Sequence, residues 1–256
     1  QDEVDLAVII TPASVIPGLI RQCGEQGIRN IIIESAGFSE KGEEGKKLQN
    51  EIDETACFYQ IRIIGPNCLG IVDVHRRFCC MYGSEKIVLP LIQQPGSVSY
   101  ILQSGGMAEM VAERLTENMM GVNKMVCIGN KSDVDEADLI DYFSMDNTEV
   151  IGIYLENVKH GRKLMTSVKQ TSKPVLVYKS GKSEAGSAAA MSHTAGMAQN
   201  DAVFDGACKQ AGMIRLQSPE ELHSLPKMFT KMPLLSGNRI AIFTTSGAFG
   251  SIGADL

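Results

Sequence analysis

Tryptophan is absent from this 256-residue sequence, and aromatic residues make up only 5% of it. A chain so poor in rings lacks the stacking platforms on which single-stranded nucleic acid is held. No apolar run approaches the ~20 residues of a membrane span, and no signal-peptide pattern opens the chain. Histidine is scarce, at four residues, which limits imidazole-based sites. The seven cysteines are odd in number, irregularly spaced and without a CxxC pair. They read as reduced thiols of a cytoplasmic protein, not as a disulfide framework or a zinc site. Calcium-loop spacing is missing too, so no metal site is expected. A net charge of −6 removes the basic footprint of a nucleic-acid binder.

What is present is the balance of a globular protein, 44% hydrophobic and 21% charged. Short apolar runs alternate with helical patterns from end to end. The runs are Leu6–Ile10, Ile28–Ile33, Ile61–Ile64, Val98–Leu102, Lys124–Ile128, Val150–Leu155, Pro174–Tyr178, Met213–Leu216 and Arg239–Thr244. Several are nearly continuous Val, Ile and Leu, as strands buried on both faces require, and this predicts parallel sheets covered by helices. Amphipathic stretches such as Val15–Gly27, Met107–Asn118 and Glu136–Met145 supply those helices. A last clear helix is expected from Ser218, with Pro219 at its first position and Glu221 completing a capping box. The fold class is α/β.

Punctuation divides the chain. Arg76–Gly96 lacks periodicity and reads as a linker, and Pro233–Asn238 reads as a second break. The expected pieces are 1–90, 91–235 and 236–256. The strand–Ser–Gly–helix unit at Ser97–Met107 resembles Arg239–Phe249, and Ser104 and Ser246 stand 142 residues apart, one domain length. The opening residues enter a strand at once and Gly253–Leu256 stop within a helical pattern, so the sequence is expected to be a piece of something longer.

Five features carry chemistry. Ser104-Gly105-Gly106 follows a strand and opens a helix, where backbone N–H groups and the macrodipole favour an anion. It lacks the lysine of a P-loop and the spacing of GxGxxG, and serves equally as a tight turn needing glycine for packing. Gly181–Ala198 is a long run of small residues carrying His193. Imidazole can take a phosphoryl group covalently, but the run also reads as a surface loop with an incidental histidine. Glu156 follows Val150–Leu155, at the carboxyl end where ligands sit in parallel sheets. There it can orient an imidazole, or stand as a solvated charge. Gly65-Pro66-Asn67-Cys68-Leu69-Gly70 makes a sharp turn that either presents Asn67 and Cys68 to a ligand or buries a structural cysteine. Asn130–Glu136 follows a strand, and its acidic residues read as helix caps.

Taken in order, GPNCLG at Gly65–Gly70, Gln103-Ser-Gly105, Gly129–Asp138, Tyr154-Leu-Glu156 and Ser183–Thr194 resemble the NDP-forming acyl-CoA synthetases, relatives of the succinyl-CoA synthetase α subunit. The resemblance covers nearly the whole chain. It implies the second half of a Rossmann-like CoA-binding domain in 1–90, with the loop that takes the CoA phosphates outside this sequence. A flavodoxin-like domain with a phosphohistidine loop would fill 91–235, and a further flavodoxin-like domain would start at 236–256. The implied reaction is acyl-CoA + ADP + phosphate ⇌ carboxylic acid + ATP + CoA, through an acyl phosphate and phosphorylated His193.

In that scheme Glu156 hydrogen-bonds the histidine, Ser104, Gly105 and Gly106 hold phosphate, and Pro12, Glu34, Asn67 and Cys68 belong to the CoA site. ATP or ADP and Mg²⁺ would bind an ATP-grasp domain or β subunit outside this chain, within an oligomer. After Thr194 the sequence reads Ala195-Gly196, where many relatives have glycine directly after the threonine. A non-catalytic acyl-CoA-binding module of an acetyltransferase-like protein is the alternative. Its members tend to lose the histidine that stands here at 193. An oxidoreductase is disfavoured by the missing GxGxxG with its acidic residue.

Overall fold

The computed structural model describes residues 3–183, 186, 200–232, 237 and 239–255. His193 therefore lies outside the described residues, as does most of the small-residue run around it.

Two sheets organise the chain. The smaller is parallel, in the order β1 (Ala7–Ile9), β2 (Asn30–Ile33), β3 (Arg62–Ile64). Helices α1 (Ile16–Glu25) and α2 (Glu43–Tyr59) connect these strands and close a core around Ile16, Ile20, Ile31, Ile33, Ile52 and Ile63. Three parallel strands in sequential order are what one half of a Rossmann-like sheet contains.

The larger sheet has seven strands. Its parallel part is β6 (Pro95–Leu102), β7 (Val122–Cys127), β8 (Val150–Leu155), β9 (Val175–Lys179) and β10 (Ile214–Arg215). Helices α4 (Gly105–Glu117), α5 (Glu136–Ser144), α6 (Gly161–Gln170) and α7 (Asp201–Ala211) follow β6, β7, β8 and β9 in turn. Every residue of β7 and β8 is buried, and separate apolar clusters cover the two faces of the sheet. That double burial is the physical reason β8 is a continuous apolar run, whereas the buried Asn123 and Lys124 of β7 are held by Thr148 and Asp146. The spatial order β10-β9-β8-β6-β7 is the doubly-wound order of a flavodoxin-like domain. Its switch point, where connections depart to opposite sides, falls between β6 and β8.

The expected linker is corrected. Within Arg76–Gly96 lie strand β5 (Phe78–Met81) and helix α3 (Glu85–Ile92). Strand β4 (Gly70–Asp73) pairs antiparallel with β5 and with β7, so this hairpin extends the second sheet although it precedes residue 90. The larger sheet is thus mixed, not purely parallel. Four-residue strands show too little alternation to be read locally, and β4 takes its stability from β7, some fifty residues away. The strand expected at Arg239–Thr244 does not form: among the described residues it has no neighbour to bond, and Ile240 and Phe243 are 82% and 95% exposed. The helix after it, Gly247–Asp255, does form. At Ser218 a turn precedes two short helices, Glu221–Ser224 and Pro226–Lys231, and Glu221 accepts from the Gln217 amide at 2.6 Å.

Among the described residues no helix is long and apolar enough to cross a membrane.

Candidate active site

The switch point is a cleft. It has a volume of about 1030 Å³ and receives residues from both sheets, within the usual size of a small-molecule site. In the ladder, Leu102 of β6 pairs with Tyr154 of β8, and the Gln103 amide donates to Tyr154 O at 3.1 Å. Residues 103–106 and 156–157 consequently leave adjacent parallel strands side by side. Ser104, Gly105, Gly106 and Glu156 all line the cleft, as do Glu34, Asn67 and Cys68 from the first sheet's side. Pro12 does not: it is exposed, at the start of the short turn Ala13–Val15.

Ser104 is the N-cap residue of α4, with extended backbone, but its side chain makes no capping bond. Among the described residues the amides of Gly105, Gly106 and Met107 have no acceptor either, the first intrahelical bond being Ala108 N to Ser104 O at 3.0 Å. The Ser104 hydroxyl and the amides of Gly105 and Gly106 thus stand at a helix N-terminus in the cleft wall with no acceptor among the described residues, the electrostatic requirement of a bound oxyanion. Gly106 is open; the nearest atom a Cβ would meet is the Ser104 Oγ at 4.0 Å. Gly105 is tighter, its Cβ position lying 3.0 Å from Leu69 Cγ.

Glu156 is fixed through its backbone. Its amide and that of Asn157 both donate to Gln103 Oε1, at 2.9 and 3.2 Å. The Tyr154 hydroxyl donates to Glu156 Oε1 at 3.4 Å. On the other side, Asn67 adopts φ +59°, and its amide donates to Ser35 O at 2.9 Å. Its side chain donates to Asn130 Oδ1 at 3.3 Å. Cys68, at the cleft wall, is buried: its Sγ–H donates to Ile33 O at 3.3 Å, and burial pushes its thiol well above the ordinary range.

Several polar groups of the cleft were not singled out from sequence. Asn130 donates to Glu40 Oε2 at 2.7 Å, Ser39 Oγ at 3.2 Å and Gln49 Oε1 at 3.1 Å. Burial works against ionisation of Glu40, but the Asn130 bond and the amides of Gly37 and Phe38 outweigh it and hold its carboxyl below the usual value. Asp53, joined to the Ser132 hydroxyl, is pushed the other way by burial. Lys159 donates to the carbonyls of Asn130 and Lys131, both at 2.8 Å. The expected caps are in place: Asp135 accepts from the Ala137 and Asp138 amides, and Asp138 returns a bond to the Asp135 amide. Asn157 lines the cleft too, and among the described residues its buried Oδ1 has no hydrogen-bond partner.

Burial also raises the Glu34 carboxyl above its ordinary value, so the fold favours the protonated acid. Its contribution to stability is complete below the unfolded pKa of about 4.3 and is lost as pH rises through the higher folded value. Glu34→Gln is expected to melt with the parent at about pH 3.5 and above it at about pH 7. Thermal unfolding across that range checks this, and a difference independent of pH contradicts it.

The comparisons agree with this geometry. A CoA-binding domain family matches residues 1–73, and the succinyl-CoA ligase-like flavodoxin domain family matches residues 95–229, leaving the hairpin's second strand and α3 between them. The chain is 40% identical to an ADP-forming acetate–CoA ligase of Methanocaldococcus jannaschii, covering 100% of this chain and 35% of that protein. It is 37% identical to subunit alpha of the ADP-forming acetate–CoA ligase I of Pyrococcus furiosus, covering 99% of this chain and 54% of that one. The chain thus spans about half the length, or less, of these relatives. A solved dinucleotide-forming acetyl-coenzyme A synthetase 1 of Ca. Korarchaeum cryptofilum, in complex with phosphate and ADP, superposes with a TM-score of 0.91 at 32% identity, over 99% of this chain and 54% of that one. With a Rossmann-like CoA-binding domain followed by a flavodoxin-like domain of the matching family, the chain belongs to the succinyl-CoA ligase-like family.

Proposed function

We propose that this chain is the CoA-binding and phosphoryl-carrying part of an ADP-forming acyl-CoA synthetase. The observation that carries this reading is the switch-point cleft, where the unsatisfied donors of Ser104, Gly105 and Gly106 stand one strand away from Glu156. Phosphate held at the start of α4 attacks the thioester carbonyl of acyl-CoA. The new C–O bond gives an acyl phosphate, and the C–S bond breaks to release CoA as its thiol. The donors that bind phosphate also neutralise its charge, which would otherwise repel the oxyanion forming on the carbonyl.

An imidazole nitrogen of His193 then attacks phosphorus, and the P–O bond to the acyl group breaks to free the carboxylate. Glu156 accepts a hydrogen bond from the other ring nitrogen and holds the reactive tautomer. Asn67 and Glu34 line the approach of the CoA thiol end, and Pro12 belongs to a more distant part of the same site. ATP or ADP and Mg²⁺ act at an ATP-grasp domain or β subunit that completes the assembly in the cytoplasm. Relatives named as ligases favour this over a non-catalytic acyl-CoA-binding module.

Hydroxylamine trapping tests the first step. The complete protein, given acetyl-CoA and phosphate without nucleotide, is expected to yield acetyl hydroxamate in proportion to phosphate. Hydroxamate formation that ignores phosphate contradicts the acyl phosphate.

A further inference from the structure

The peptide that carries Glu156 is held from both sides by buried polar side chains, Gln103 at the cleft wall and Lys131 behind it. Gln103, 5% exposed, accepts from the amides of Glu156 and Asn157 with one oxygen. Lys131, 2% exposed, donates its ammonium to the Asn157 carbonyl at 2.7 Å and to Glu136 Oε2 at 3.0 Å. Glu136 is equally buried, at 2% exposure, so the cation is matched by one anion and one carbonyl. The backbone at Lys131 has φ +54°, and its own carbonyl receives Lys159 Nζ at 2.8 Å. A lysine in an unfavourable backbone region, with its charge sealed under the sheet rim, costs stability; a buried ion pair is itself weak evidence for stabilisation. What the arrangement does accomplish is geometric. The N–H groups of residues 156 and 157 face one fixed acceptor and the carbonyl of 157 faces one fixed donor, which leaves the rim peptide a single seat.

We propose that Gln103 and Lys131 are positioning residues that clamp the Glu156–Asn157 peptide from its two sides and so set where the Glu156 carboxylate stands at the cleft. This rests on the functional reading above, in which Glu156 orients the reacting imidazole. Lys131 acts through Asn157 O, and Glu136 is its counter-charge. Small displacements of an orienting group cost rate far more than binding, so the clamp is read in kcat and not in KM.

The complete protein with its nucleotide-binding part is assayed for phosphate-dependent acetyl-CoA cleavage coupled to ATP formation. Lys131→Met alone strands a buried anion and threatens the fold, whereas Lys131→Met/Glu136→Met removes both charges and keeps the volume. The double variant is expected to melt cooperatively near the parent while kcat falls about 10- to 100-fold, with the KM values for acetyl-CoA and phosphate unchanged. Gln103→Leu, which withdraws the acceptor on the opposite side, is expected to show the same split. A folded double variant with parental kcat overturns the clamp. Loss of cooperative melting in both variants also overturns it, because the contacts then serve the fold and not Glu156. A parent that cleaves acetyl-CoA without phosphate overturns the functional reading, and the clamp falls with it; an active parent matched by the double variant overturns the clamp alone.

Discussion

Gly129→Val is expected to cost at least about 4 kcal/mol of folding stability, which at ~2–4 °C per kcal/mol lowers the thermal midpoint by roughly 8–16 °C. Gly129 has φ +51°, where a β-branched residue is strained. Space is shorter still: a Cβ there would lie 2.2 Å from Pro66 O and 2.4 Å from Asn67 O. Both obstacles are backbone, so no rotamer change relieves them. The segment that would have to move is also the seam between the sheets. Asn130, Ser132 and Val134 donate their amides to Pro66, Gly65 and Ile63 at 2.9, 3.0 and 3.1 Å, and Arg62 Nε meets Asp133 Oδ2 at 2.7 Å. Pushing this seam apart separates Asn67 from Asn130 and opens the cleft, so the proposed acyl-CoA site is lost together with stability. Gly161→Ala is the control: nothing lies within 4 Å of its Cβ position, and it is expected to change stability by less than about 1 kcal/mol. Equal midpoints for Gly129→Val and the parent contradict the seam.

The parts of the fold that were legible are those whose physics is local or repeated. Strand β8 occupies the expected Val150–Leu155 residue for residue, because burial on both faces leaves no room for a polar interruption. Ser104 and Glu156 were legible as cleft-lining positions for the same reason, each following the carboxyl end of a buried strand. Strands β4 and β5 were not, since their pairing with β7 is a long-range choice that four residues cannot announce. Arg239–Thr244 has the composition of a strand, yet a strand exists only where a neighbouring ladder accepts it.

In the site, Gln103, Asn130 and Lys131 escaped local reading although they stand inside recognisable motifs. A glutamine beside a serine at a strand end looks like surface polarity until the register of β6 and β8 places its oxygen against two amides. Lys131, four residues before the capping Asp135, looks like a solvated charge until the loop buries it on Glu136. Cys68 combines both of its readings: it lines the cleft, and its buried Sγ–H donates to the Ile33 carbonyl.

The second large effect concerns His193, which lies outside the described residues and enters from the sequence alone. It comes after β9 in the sequence, and the ladder of β9 to β8 pairs Leu155 with Lys179, so residues 180–183 leave the sheet at the same rim as Glu156 and Ser104. If phosphorus passes through this imidazole, no neighbouring group replaces it: the other histidines are at positions 75, 160 and 223. His75 bonds the Gly96 carbonyl at 2.9 Å, and none of the three lines the switch-point cleft. Removal of the nucleophile is therefore expected to lower turnover by at least about 10³-fold. His193→Asn keeps a polar side chain of similar reach while removing the nucleophile.

The decisive measurement incubates the complete protein with Mg²⁺ and ATP labelled in the γ-phosphate, denatures it, and follows acid-labile, base-stable label on this chain. The account predicts stoichiometric labelling of the parent, discharge of the label on adding acetate and CoA, and no labelling of His193→Asn. Label on His193→Asn equal to that of the parent would contradict it.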